Sequence, residues 1–171
     1  LSGLLGTDPE QIKSIEYDFQ DTVLTEKKKN QLDLLLQLEQ KKPDLEIELV
    51  YFNDANLEKG EIALQEAGRI FNQKRQKDYL QDKTGFEEFV RAQIQSDTLK
   101  SIVDACRIVI GEMVLDSIAN QYHQIRLDGI SRYLVNASDS TEIAVVNSKP
   151  EAPKNLGSKP IFEIKYGMKE G

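Results

Sequence analysis

A single cysteine and a single histidine stand among 171 residues, and each scarcity removes a class of chemistry. One cysteine leaves no internal disulfide. Cys106 recurs at helical spacing with Leu99, Ile102, Val103 and Val109, which reads as a small buried hydrophobe rather than a nucleophile. With His123 as the only imidazole, nucleophilic triads, histidine-ligated metal sites and imidazole acid–base catalysis all depend on one residue. His123 lies one position off an apolar helical stripe, so it reads as a helix-edge residue. No apolar run approaches the length of a membrane span. Positive charge is short as well: 22 basic residues face 29 acidic ones, for a formal charge of −7. The basic runs "EKKKNQ" and "NQKRQKDY" are diluted by acids, and no nucleic-acid partner is expected.

Phosphate-cradling and metal-binding loops are missing too. "GLLGTDPE" has two glycines but no following Lys-Ser/Thr and no preceding strand. "FNDANLE" contains Asp54 without the spaced acidic ladder of a calcium loop. Carboxylates are plentiful, yet none forms a distinguishable acid–base pair. The "NAS" triplet at Asn136 is a sequon of a kind common by chance. Neither a cofactor nor catalysis is expected.

What is present is a globular composition, 39% hydrophobic and 30% charged, in a chain of one-domain length. "SIEYDF" alternates Ile15, Tyr17 and Phe19 on one face, and "DLEIELVYF" alternates Leu45, Ile47, Leu49 and Tyr51; both predict strands. Between them "TEKKKNQLDLLLQLEQKK" predicts a helix, N-capped by Thr25, burying Leu32, Leu35, Leu36 and Leu38 beside Glu39, and stopped at Pro43. From Leu57 to about Asp97 the text is polar and helical, with Leu64, Ala67 and Phe71 as a thin seam and a break at "DKTG" around Gly85. A further helix is expected from Thr98 to Ile110, then a break at Gly111. "TEIAVVN" and "KPIFEIKYGM" predict two closing strands, read as a terminal hairpin, around a proline-bearing surface loop. The predicted fold is an α/β, or α+β, sandwich: β-α-β-α-β-β, with helices on one face of a small mixed sheet. Residues 1–13 read as a linker, and residues 14–171 as one domain with a helical insertion over about 57–112. The opening "LSGLLGTDPE" lacks Met and carries no signal peptide, so the chain reads as a segment of a longer protein.

The long helix "LDSIANQYHQIRLDGISRYL" carries the most unusual feature. Leu115, Ile118, Tyr122, Ile125, Gly129 and Tyr133 form a stripe widened by Ile130 and Leu134, and Arg126 lies on its flank. Asp54 closes the second predicted strand. The β-α-β-α-β layout allows both side chains to face one cleft, where a guanidinium fork and a carboxylate suit the two ends of a zwitterion. The alternative is a structural arginine, its stem on apolar surface and its head paired with an acid such as Asp54 or Asp128, with Asp54 forming a turn or capping a helix.

These residues resemble a family. "R-L-D-G-I-S-R-Y-L" from Arg126 is similar to the "R-A-x-x-V-x-x-Y-L" helix of OmpA-like domains, and "Y-F-N-D" ending at Asp54 takes the place of their "G-H-T-D" strand end. Tyr51 and Phe52 thus stand where that pattern has glycine and histidine. Across nearly the whole chain, "LSGLLGTDPEQIKSIEYDF", the helical insertion and "APKNLGSKPIFEIKYGM" resemble the OmpA-like C-terminal region of large AsmA-like envelope proteins of Bacteroidetes type. The resemblance implies a non-catalytic periplasmic module of a membrane-anchored parent. It also implies a role in cell-envelope or outer-membrane homeostasis and in lipid movement between membranes, with peptidoglycan or envelope proteins as partners. Carried over by position, it assigns diaminopimelate binding to Asp54 and Arg126. A soluble α/β enzyme or regulator sharing only the layout is a second alternative.

Overall fold

A computed structural model describes residues 12–95, 100–148 and 159–170. Most of the predicted linker, the proline-bearing loop and the start of the helix expected at Thr98 lie outside these residues. The fold is a mixed α+β sandwich. Among the described residues it contains five helices: α1 (Glu26–Lys41), α2 (Ala55–Arg75), α3 (Lys83–Arg91), α4 (Ile102–Ile110) and α5 (Glu112–Ala137). Four strands accompany them: β1 (Ser14–Glu16), β2 (Leu45–Phe52), β3 (Ala144–Asn147) and β4 (Ile161–Met168). The chain divides into two compact units, one formed by residues up to Asp54 and from His123 onward, the other by Ala55–Tyr122. The helical unit therefore begins close to the expected start of the insertion but extends into the first half of α5.

The sheet of the first unit has the order β1-β4-β2-β3. β4 pairs antiparallel with both β1 and β2, while β3 pairs parallel with β2. The expected terminal hairpin is not formed: β4 inserts between β1 and β2, and β3 adds to the far side of β2. The reason lies in apolar alternation. Ile47, Leu49 and Tyr51 pair across from Tyr166, Ile164 and Phe162, so both long strands turn one continuous apolar face inward. Leu32, Leu35, Leu36 and Leu38 of α1 and Ile130 and Leu134 of α5 share that core. The opposite face carries Glu46, Glu48 and Lys165.

β1 is shorter than its alternation predicts. The pairing register reaches one residue past the strand, Tyr17 N–H donating to Pro160 O, and a loop containing Gln20 (φ 66°) then leads to α1. The predicted linker ends earlier than residue 13: Ile12 is buried, and Lys13 O accepts from Ile164 N. Thr25 caps α1 as expected, its Oγ1 accepting from Lys28 N.

In the second unit Ile62, Ala63, Ala67 and Phe71 of α2 pack with Phe86 and Val90 of α3, Ala105 and Cys106 of α4, and Leu115 and Ala119 of α5. Gly85 does not break this region. It lies inside α3, where its N–H donates to the Asp82 carboxylate that caps the helix. The break comes earlier, after Arg75, where Gln76 adopts φ 56°. Gly111 does separate α4 from α5, at φ 93°. At that corner Glu112 accepts from Arg107 and Lys59, and Asp116 also accepts from Lys59. Arg107 chiefly holds the Glu112 carboxyl below its ordinary range, while Asp116 chiefly raises the Lys59 ammonium.

Candidate functional site

Arg126 lies in the middle of the buried seam of α5, not on its flank. The residues facing inward are Leu115, Ala119, Arg126, Ile130 and Leu134, while Ile125 is half exposed. The seam thus runs four, seven, four and four residues, one position away from the predicted Ile125 track. The reason is that α5 serves two cores in turn, Leu115 and Ala119 in the helical unit and Ile130 and Leu134 in the sheet unit. An arginine at this position must bury its head as well as its stem.

The guanidinium has no solvent exposure. Its Nε donates to the backbone carbonyl of Asp21 at 2.7 Å, and Nη1 donates to Tyr51 Oη at 3.0 Å. Its Cζ stands 5.6 Å from the centroid of the Tyr17 ring, within cation–π range. Tyr17 and Tyr51 both pack on Phe162, at centroid separations of 6.1 and 4.8 Å. Burial pushes the Tyr17 phenol up to about 12, outweighing the pull of the Arg126 cation. Arg126 thereby joins three pieces of the sheet unit: the β1–α1 loop, the end of β2 and the long helix.

The network continues through His123. Tyr51 Oη and His123 Nδ1 share a hydrogen bond of 2.8 Å, and Asn53 Nδ2 lies 3.1 Å from His123 Nε2. Two consistent proton arrangements exist. With the Asn53 amide as placed, Nε2 accepts and Nδ1–H donates to the phenol. With the amide turned over, Nε2–H donates to the Asn53 carbonyl and Nδ1 accepts from the phenol. In the second, each group donates to the next from Arg126 through Tyr51 and His123 to Asn53. His123 is half-buried at a helix edge, as its spacing predicts, and it serves as an orienting partner for Tyr51.

Asp54 is half-buried and belongs to the same unit as Arg126. It directly precedes Ala55, the first residue of α2, the position at which an aspartate ordinarily satisfies helix N–H groups. Asp128, the other acid considered for Arg126, accepts from Gln124 Nε2 at 2.8 Å. Sequence reasoning missed Tyr17, Asp21 and Tyr51 as partners of the arginine. A signal for Tyr51 existed, because a tyrosine closing an apolar strand face needs a partner for its hydroxyl. The Asp21 carbonyl left none, since it is a main-chain group in a loop.

Cys106 is fully buried, and burial pushes its thiol up to about 11, away from thiolate chemistry. No grouping of three or more metal-binding side chains occurs among the described residues. No helix among them is long and apolar enough to cross a membrane. Compared with family profiles, curated proteins and solved structures, the chain matches none.

Proposed function

We propose that this chain is a non-catalytic interaction or tethering module of a cell-envelope protein, acting in the periplasm as part of a membrane-anchored, AsmA-like parent. The observation that carries this reading over peptidoglycan binding is the burial of Arg126. A diaminopimelate carboxylate would have to reach a guanidinium without solvent exposure, two of whose N–H groups already bond within the unit. Displacing those bonds would cost the Asp21 carbonyl its guanidinium donor and the Tyr51 phenol one of its partners. Exposed apolar side chains support an interaction role: Ile108, Met113 and Val114 lie around the Gly111 corner, with Met113 at 88% exposure.

Sedimentation with peptidoglycan sacculi tests the choice. The chain is expected to stay in the supernatant. Co-pelleting that a folded Arg126→Ala variant loses would instead establish the Asp54–Arg126 ligand site. Tethering is tested by deleting residues 14–171 from the parent and fractionating the envelope. The truncated parent is expected to redistribute between membrane fractions, and an unchanged distribution counts against the module's role.

A further inference from the structure

A cavity lies in the sheet unit between β1 and the first turns of α1, sharing Tyr17 and Asp21 with the Arg126 network but not lined by Arg126 itself. Its volume is about 390 Å³. Lys28 lines it and is only 9% exposed, an unusual state for a lysine. Its Nζ sits 4.6 Å from the centroid of the Tyr17 ring, which stabilises the charge without supplying a hydrogen-bond acceptor. The paired carboxylate oxygen of Asp21 stands 3.9 Å away, beyond hydrogen-bond reach. Among the described residues the Lys28 ammonium therefore makes no hydrogen bond. Three N–H donors buried without an acceptor call for an oxygen from outside.

The other charges at the cavity narrow the kind of oxygen. Lys159 also lines it but is engaged with Asp18 at 3.0 Å, a bond that holds the Asp18 carboxyl below its ordinary range. Lys27 forms no ion pair with a described residue and leaves a second cation at the mouth. Glu16, Asp18 and Asp21 bring three carboxylates to the same lining. That acidic company disfavours a multiply charged phosphate but tolerates a single negative charge.

We propose that this cavity is a binding site for a small monocarboxylate, whose oxygens accept from Lys28 with Lys27 at the entrance. The site is distinct from the Asp54–Arg126 pair, and its test does not depend on whether the chain tethers a parent protein. Amide chemical shifts of the isotope-labelled 171-residue chain are followed on titration with acetate, with inorganic phosphate and with methylammonium, at constant ionic strength. Acetate is expected to give saturable shifts confined to Ser14–Asp21 and Glu26–Gln31. Phosphate should act more weakly, and methylammonium should leave these amides unmoved. Lys28→Met keeps the apolar stem over Tyr17 and removes the donors; it should weaken acetate binding at least about tenfold. Unchanged shifts of the sheet unit away from the cavity, in β2, β3 and the second half of α5, verify that this variant is folded. Lack of saturation with acetate would mean that water alone satisfies Lys28, and the proposal fails. It fails equally if phosphate binds more tightly than acetate, or if Lys28→Met binds acetate like the parent chain. Should Lys28→Met not fold, Lys28→Gln replaces it, and an unchanged acetate affinity there overturns the site.

Discussion

Arg126 illustrates how a buried cation is stabilised without a dedicated cleft. One N–H goes to a backbone carbonyl, one to a phenol, and an aromatic face lies alongside. Removing the phenol alone should leave Arg126 Nη1 and His123 Nδ1 seeking partners, so Tyr51→Phe is expected to cost about 1–3 kcal/mol in urea unfolding. An effect indistinguishable from zero would show that the hydroxyl is dispensable to the network. Three other phenols set an alkaline limit. Burial raises Tyr17 and Tyr166 from 10.0 to about 12, and the hydrogen bond to the Asp33 carboxylate does the same for Tyr133. Because their folded values lie above the unfolded one, their contribution is complete below pH 10 and is lost as pH rises from 10 towards 12. Unfolding midpoints measured across that window should fall, with tyrosinate absorbance rising in parallel. Cys106, by contrast, should resist a thiol reagent in the native chain and react only after unfolding.

Among the elements, non-glycine residues take positive φ in the β1–α1 loop (Gln20) and after α2 (Gln76), while a glycine takes it at the α4–α5 corner. Gln20 sits at φ 66° next to Asp21, whose carbonyl Arg126 holds. Gln20→Gly is expected to be neutral or to stabilise by up to about 1 kcal/mol, because glycine accepts that conformation freely. At the α4–α5 corner the direction reverses. A Cβ at Gly111 would meet open space, yet φ 93° makes Gly111→Ala destabilising by about 1 kcal/mol or more. Thermal unfolding of the two variants, moving in opposite directions, checks both. These elements also show what the sequence made legible. Leucine spacing and Thr25 located α1 almost to the residue, and alternation located β2 and β4. Gly85 misled because a glycine two residues inside an Asp-capped helix looks like a breaker until its N–H is seen to serve the cap. The strand order was beyond reach, since a long proline-bearing loop does not reveal that its closing strand inserts between the first two.

At the scale of the whole molecule, the chain holds two separate apolar clusters, one in each compact unit. The long helix divides its buried face between them, and that division obscured Arg126: a stripe fitted through Ile118, Tyr122 and Ile125 misses the register in which Arg126 is the central residue. Of the candidate site, Arg126 stood out as unusual on apolar spacing alone. Its partners did not, because they come from a loop carbonyl 105 residues away in sequence and a phenol 75 away. The central claim is that this arginine serves the fold rather than a ligand, and the global unfolding free energy of Arg126→Ala tests it most directly. Loss of two charge-assisted hydrogen bonds and of a filled volume is expected to lower that free energy by about 3 kcal/mol. A change within about 0.5 kcal/mol, the range of an ordinary surface substitution, would contradict the account.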